Sequence, residues 1–137
     1  MDRKGLQELS KVRLKEARAL LNLGLCDGAY DLAGYAVECA IKACIAKGTL
    51  RHEFPDKKKV ESSHSHNLRE LMRVAGLEDA RLEQARKDPD FGTNWDVVQS
   101  WSEQSRYRSH SPQAAQALLV AVGDRRHGVI SWIILHW

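Results

Sequence analysis

The sequence lacks the features that mark membrane and exported proteins. The longest apolar stretch late in the chain, residues 129–135, contains Ser131 and falls far short of the roughly 20 residues that a bilayer span requires. Residues 1–5 lead directly into an amphipathic pattern, with no apolar signal core and no small-residue cleavage site. We therefore expect a cytoplasmic protein without a membrane anchor.

Cysteine is scarce, and its spacing argues against disulfide bonds or a thiol-based metal site. The three cysteines, Cys26, Cys39 and Cys44, form no C-x-x-C pair, and all lie near one predicted helix. We interpret them as small core residues. The pair His64-x-His66 lacks the ligand spacing of zinc fingers, so we predict no metal site.

The common signatures of nucleotide-binding loops and serine hydrolases are absent as well. The chain contains no G-x-x-x-x-G-K-[ST], no G-x-G-x-x-G after a strand and no G-x-S-x-G. Covalent catalysis is therefore not expected, and no cofactor is predicted. The net charge of +3 is also too small to identify a nucleic-acid binder by itself.

What is present is the composition of a globular protein. The 137 residues are 43% hydrophobic and 28% charged, which is enough to bury a core and fits one domain covering residues 1–137. No segment shows sustained period-two alternation, and there is no internal repeat. The sequence predicts an all-α, up-and-down bundle of four main helices with short additional helices.

Hydrophobic periodicity and capping residues place these helices along the chain. Asp27 is predicted to cap the second helix, Ser63 or Ser65 the third, and Ser111 with Pro112 the last, whereas residues 49–65 are predicted to be an exposed loop. Gly123 and Gly128 lie inside the last helix and predict a kink. The main helices are expected at about 6–23, 28–46, 68–74 and 112–135, with a short polar helix at 78–87 and a helical turn at 95–101.

The second helix has small or apolar residues around nearly its whole circumference, which is typical of an element packed on several sides. Its polar exceptions are Asp31, Glu38 and Lys42, which share one stripe at i, i+7 and i+11. Either this stripe is the exposed edge of the helix, or it faces a cleft. Arg13 and Glu16 on the first helix either pair with each other or line the same cleft.

The segment WSEQSRYRSH, residues 101–110, concentrates two guanidinium groups, a phenol and an imidazole. Arginine binds phosphate through two parallel hydrogen bonds, tyrosine stacks on bases, and histidine transfers protons near neutral pH. Arg106, Tyr107, Arg108 and His110 therefore suit a nucleotide or an RNA backbone. In the alternative, Arg106 pairs with Glu38 or Glu16 and only holds the loop in place.

Four stretches of the chain resemble HEPN domains, a family of small helical bundles. Residues 33–43, AGYAVECAIKA, are similar to that family's second helix, and residues 15–21 with 27–30 resemble its first helix and turn. The sequence His66-Asn67-Leu68 resembles the entry into its third helix. Trp101 with Arg106, Tyr107 and Arg108 resembles the motif before its final helix.

The resemblance implies a helical bundle that often forms homodimers, associates with nucleotides or RNA, and in several members is a toxin paired with a minimal nucleotidyltransferase. In the family's ribonucleases, an arginine and a histidine with four to six residues between them form the catalytic pair. The nearest arrangement here is Arg106-x-x-x-His110, which is one residue shorter. The resemblance therefore favours binding over catalysis in this chain.

Three functions follow from these observations. The leading hypothesis is a HEPN-like module, a homodimer that binds a nucleotide or RNA through Asp31, Glu38, Lys42, Arg106, Tyr107 and Arg108 and works beside a nucleotidyltransferase-type partner. The first alternative is a metal-independent endoribonuclease toxin that uses Arg106 and His110 as its catalytic residues. The second alternative is a structural homodimerisation module whose interface contains Trp132, Trp137 and the neighbouring isoleucines.

Overall fold

The computed structural model describes residues 1–49 and 56–137. These residues form eight α-helices and a 3₁₀ helix, and they contain no strand, which confirms the all-α fold class. No helix within the described ranges is long and apolar enough to cross a membrane. The helices are α1 Arg3–Asn22, α2 Cys26–Lys47, α3 Lys57–Ser63, α4 Leu68–Val74, α5 Glu78–Lys87, α6 Pro89–Gln99, the 3₁₀ helix Glu103–Tyr107, α7 Pro112–Gly123 and α8 Val129–Ile133.

The two longest helices, α1 and α2, form the most extensive helix pair of the bundle. Asp2 caps α1 by accepting a hydrogen bond from the Gly5 amide at 2.8 Å. The chain then leaves α1 through Gly24, whose φ of +75° suits glycine. Asp27 does not cap α2 as predicted, because it lies within the first turn of that helix and its carboxylate accepts a hydrogen bond from the His110 amide.

Helix α2 lies at the centre of the bundle and packs against α1, α4, α7, α8 and the 3₁₀ helix. Twelve of its 22 residues are buried, which confirms the interpretation of its small and apolar circumference. Small side chains allow these close approaches: Ala29, Ala33, Ala36, Ala40 and Ala43 are all fully buried. The Ser10 hydroxyl of α1 donates to the Ala36 carbonyl at 2.8 Å, so a polar contact also joins the pair.

The C-terminal aromatic residues belong to the core and its edge. Trp132 is 7% exposed and packs on Phe91, with ring centroids 5.2 Å apart, and Ile130 and Ile133 are buried beside it. The Trp137 carbonyl accepts a hydrogen bond from Arg3 at 3.0 Å. The predicted dimer interface is therefore wrong for Trp132, Ile130 and Ile133, since the chain buries these side chains itself.

Three features in the middle of the chain differ from the predictions. Residues 57–63 form α3 within the predicted loop, whereas residues 50–55 of that loop lie outside the described part of the chain. Asn67, rather than Ser63 or Ser65, caps α4 by accepting from the Glu70 amide at 3.0 Å. The predicted turn around Trp95 is the end of the 11-residue helix α6, which Asp88 caps.

The predicted last helix is broken rather than kinked. It ends at Gly123, and α8 begins only at Val129. Asp124 has an extended backbone, its carboxylate accepts from the His127 amide at 2.7 Å, and its carbonyl accepts from the Ser131 hydroxyl at 2.9 Å. A β-carbon on Gly128 would lie 2.3 Å from the Asp124 carbonyl oxygen, so this tight turn requires glycine.

Candidate functional site

A cavity of about 370 Å³ opens where α1, α2 and the chain before α7 meet. We call it the Arg106 cavity. It brings together Asp31 and Glu38, two of the three polar residues of the α2 stripe, with Arg106 from the 3₁₀ helix across a shared hollow. Its lining residues are Arg13, Asp31, Leu32, Tyr35, Glu38, His66, Trp101 and Arg106.

Glu38 anchors the polar wall of this cavity. Its side chain is 3% exposed, and its two oxygens have different partners: His66 Nδ1 lies 2.9 Å from Oε1, and Lys42 Nζ donates to Oε2 at 3.3 Å. Lys42 does not line the cavity, because it lies one helical turn further along α2 and is engaged with Glu38. The buried carboxylate therefore holds a cation and an imidazole at one side of the hollow.

Asp31 lies on the same face of α2, about two turns before Glu38, and has a different environment. Burial raises the pKa of its carboxyl group, and the nearby positive charges of Arg106 and His110 act in the opposite direction. No described residue donates a hydrogen bond to the Asp31 side chain, which leaves its oxygens as acceptors facing the cavity.

Arg106 is oriented by its own segment and not by a carboxylate. Its Nε donates to the Glu103 carbonyl at 3.2 Å, and its guanidinium carbon lies 6.0 Å from the centroid of the Tyr107 ring. Among the described residues, its terminal nitrogens have no hydrogen-bond acceptor. The alternative in which Arg106 pairs with Glu38 or Glu16 is wrong, because Glu38 binds His66 and Lys42, and Glu16 binds Arg13.

Aromatic side chains form the apolar part of the wall. The Trp101 ring lies directly on Gly34, where a β-carbon would be 2.1 Å from the indole. Trp101 Nε1 is buried without a hydrogen-bond partner among the described residues. Tyr35 stands beside it, and burial raises the pKa of its phenol. The Arg13 guanidinium carbon lies 5.9 Å from the Tyr35 ring centroid.

His110 lies in a neighbouring cavity of about 480 Å³, together with Cys26, Asp27, Ser109 and Pro112. Its ring stacks on Tyr30 with centroids 3.8 Å apart, and its Nε2 lies 2.9 Å from the Ser105 carbonyl oxygen. Arg106 and His110 therefore line different cavities. A catalytic role for this pair gains no support from the geometry and stays a prediction.

Tyr107 and Arg108 are the remaining residues predicted to bind a ligand. Both side chains are exposed, Tyr107 at 77%, and neither lines the Arg106 cavity. Sequence analysis in turn did not assign His66 or Tyr35 to the site. His66 precedes α4 outside any helix, so helical periodicity contains no signal that would place it beside Glu38.

A group of possible metal ligands lies away from the Arg106 cavity, at the start of α6 and in the turn before α8. Ligand atoms of Asp88, Asp90 and His127 lie within 4.8 Å of one another. However, His127 Nδ1 lies 2.7 Å from Asp88 Oδ2, and Asp88 also caps α6. The short contact is an ion pair that ties the turn before α8 to the start of α6.

Comparison with known proteins leaves the family open. No protein-family model matches the chain, and neither the curated proteins nor the solved structures contain a significant match. The HEPN resemblance therefore stays a prediction based on the four motifs.

Proposed function

We propose that this protein is a binding module whose Arg106 cavity holds one nucleotide unit, either a free nucleotide or a unit of RNA. The observation that carries the proposal is the convergence of Arg106, Asp31 and the aromatic residues Tyr35 and Trp101 on one hollow of about 370 Å³. That volume lies within the range typical of small-molecule sites. A second copy of the chain and a nucleotidyltransferase-type protein are the partners that the HEPN resemblance adds to this proposal.

The cation side of the cavity suits a phosphate. Arg106 is fixed through Nε, so its two terminal nitrogens are positioned to donate a pair of parallel hydrogen bonds. Arg13 adds a second guanidinium on the same cavity wall, although Glu16 balances part of its charge. A phosphate between the two arginines would receive charge-assisted hydrogen bonds in a half-enclosed space.

The acceptor and aromatic side of the cavity suits the rest of a nucleotide. Asp31 only accepts hydrogen bonds when it is ionised, and ribose hydroxyls or an exocyclic amine are matching donors. Tyr35 and Trp101 offer ring surface to a base.

Binding can be tested with the four ribonucleoside 5′-monophosphates by ligand-observed NMR and with a labelled single-stranded RNA octamer by fluorescence anisotropy. We expect Arg106→Gln to weaken both about tenfold to a hundredfold, because a charged hydrogen bond contributes about 1.5–3 kcal/mol. Arg108→Gln is the matched control, since it removes the same charge from the same segment outside the cavity. We expect its affinity to stay within about twofold.

Two results would contradict the proposal. If the wild-type protein binds neither the monophosphates nor the octamer, the cavity does not hold a nucleotide. If Arg108→Gln weakens binding as much as Arg106→Gln, the exposed segment binds the ligand and the cavity does not.

A further inference from the structure

A second cavity of about 370 Å³, which we call the Arg73 cavity, lies between α4, α5 and α6. Its lining is mainly polar and contains three arginines, Arg69, Arg73 and Arg81. Glu70 and Glu78 also line it, together with Asn67, Trp95 and Gln99. Three positive and two negative side chains leave one net positive charge in a half-open hollow, which favours an anion.

The charged side chains of the Arg73 cavity differ in whether they already have partners. Arg81 is 13% exposed, donates through Nε and Nη2 to Glu78, and lies 5.2 Å from the centroid of the Trp95 ring, so it is already engaged. Glu70 accepts a hydrogen bond from the Ser65 hydroxyl at 2.9 Å. In contrast, neither Arg69 nor Arg73 forms an ion pair with any described residue.

Arg69 and Arg73 are four residues apart on α4, so they project from the same side of that helix. The pKa of Glu78 is lowered first by the hydrogen bond from Arg81, and the charge of Arg73 contributes to the same shift. Arg73, on α4, therefore lies close enough to Glu78, on α5, for its charge to lower the pKa of that carboxyl group. Two guanidinium groups that form no ion pair with any described residue thus line one polar hollow, beside Glu70 and Glu78.

The two cavities are neighbours. His66 lines the Arg106 cavity, and the next residue, Asn67, lines the Arg73 cavity. On the other side, Trp101 lines the first cavity and Gln99 the second. Residues that are adjacent or nearly adjacent in sequence thus line the two hollows at two points of the chain, His66 with Asn67 and Gln99 with Trp101.

We infer that the Arg73 cavity binds the next phosphate of a single-stranded RNA whose preceding nucleotide occupies the Arg106 cavity. Arg69 and Arg73 supply the hydrogen bonds to that phosphate, and the strand crosses between the cavities over His66 and Asn67. This inference rests on the proposed function, and it identifies the ligand as an RNA strand rather than a free nucleotide.

The test compares RNA of increasing length, from a mononucleotide through di- and tetranucleotides to an octamer of the same base. The wild-type affinity is expected to rise steeply when a second phosphate is added. In the double variant Arg69→Gln/Arg73→Gln, we expect at least a tenfold loss of octamer affinity and unchanged affinity for the mononucleotide. The association constant K falls as salt is added, and the magnitude of the slope of log K against log salt should decrease by about 0.7 for each lost phosphate contact.

The double variant Arg125→Gln/Arg126→Gln is the charge-matched control, because both arginines are exposed, as Arg69 and Arg73 are, but line neither cavity. Its salt slope and affinity should match those of the wild type. Circular dichroism with urea unfolding verifies that each variant folds.

The outcomes separate this inference from the proposed function. If Arg69→Gln/Arg73→Gln binds the octamer like the wild type while Arg106→Gln still weakens it, the second phosphate site is overturned and the nucleotide site stands. If the control variant loses as much affinity as Arg69→Gln/Arg73→Gln, RNA responds only to overall charge, and the second site is again overturned. If Arg69→Gln/Arg73→Gln loses as much affinity for the mononucleotide as for the octamer, the second phosphate site is also contradicted. Wild-type protein that binds no nucleotide or RNA refutes the proposed function itself.

Discussion

Glu38 is the residue on which the geometry of the Arg106 cavity depends most. Its carboxylate is almost fully buried, and it accepts hydrogen bonds from groups on two different parts of the chain, Lys42 within α2 and His66 before α4. A buried carboxylate is costly unless its oxygens are satisfied, and here both are. His66 lies outside any helix, and its position is fixed by this contact with Glu38 together with Glu103 Oε2, which lies 3.5 Å from its Nε2.

Replacement of Glu38 by glutamine should therefore destabilise the protein. Glu38→Gln removes the countercharge of the largely buried Lys42 and replaces one acceptor oxygen by a donor, which should lower the free energy of unfolding by about 1–3 kcal/mol. Urea unfolding followed by circular dichroism measures this change. The matched control is Glu8→Gln, whose pair with Lys11 is mostly exposed and should contribute no more than about 0.5 kcal/mol. Equal effects of the two substitutions would contradict the role assigned to Glu38.

At the scale of elements, helices with strong internal periodicity could be predicted from the sequence. The all-α class, the central position of α2 and the helix ends at Gly24 and Gly76 followed from small residues, apolar spacing and glycine geometry. The cap assignments of Asp27 and Ser65 were wrong, because a cap depends on which amide a side chain reaches. Asp27 instead binds the His110 amide, 83 residues away.

The candidate site was predicted only where it follows a helical stripe. Asp31 and Glu38 share a face of α2, so their common direction could be read from their spacing. His66 could not be assigned, because its place depends on how α4 packs on α2. Tyr35 was missed although the same spacing places it on this face, four residues after Asp31 and three before Glu38. The break after α7 was also missed, since it arises from the contacts of Asp124 with His127 and Ser131 rather than from any local pattern.

The contact between α2 and the chain before the 3₁₀ helix gives a prediction at this scale. A methyl group at position 34 would overlap the Trp101 ring, so Gly34→Ala should lower the free energy of unfolding by about 1–3 kcal/mol despite alanine's higher helix propensity. Gly28→Ala, in the same helix, is the control. Its methyl group would meet only the flexible end of Leu20 at 3.1 Å, and we expect a change of less than about 1 kcal/mol.

Urea unfolding of Gly34→Ala and Gly28→Ala measures both changes in the free energy of unfolding. A Gly34→Ala protein as stable as the wild type would show that Trp101 can leave Gly34 without cost, and the wall of the Arg106 cavity would then not be fixed by this packing.

At the scale of the whole molecule, His127 and His136 should make the free energy of unfolding depend on pH in opposite directions. The hydrogen bond to Asp88 raises the pKa of His127 above 6.5, and the same bond lowers the pKa of Asp88 below 3.8. The His127 contribution is therefore complete below about pH 6.5 and is lost as pH rises through the raised value. The Asp88 contribution is present above about pH 3.8 and is lost on further acidification.

Burial lowers the pKa of His136, so the sign for this residue is reversed. Its neutral form is the one that the folded chain favours, and protonation below about pH 6.5 should reduce stability. His136 also packs on Trp132, with ring centroids 4.6 Å apart, and this apolar contact should contribute equally at each pH.

The two variants His127→Gln and His136→Gln test these signs against each other by urea unfolding at about pH 5.5 and about pH 8.5. For His127→Gln, the loss of stability relative to the wild type should be larger at the lower pH, because the ion pair with Asp88 exists only while His127 is protonated. For His136→Gln, the loss of stability relative to the wild type should be smaller at the lower pH. There the wild type is itself destabilised by protonation of the partly buried His136, and the variant is not. If His127→Gln loses no more stability at the lower pH than at the higher pH, the ion pair between α6 and the turn before α8 does not stabilise the folded chain. If His136→Gln loses more stability at the lower pH, burial of His136 does not disfavour its protonated form.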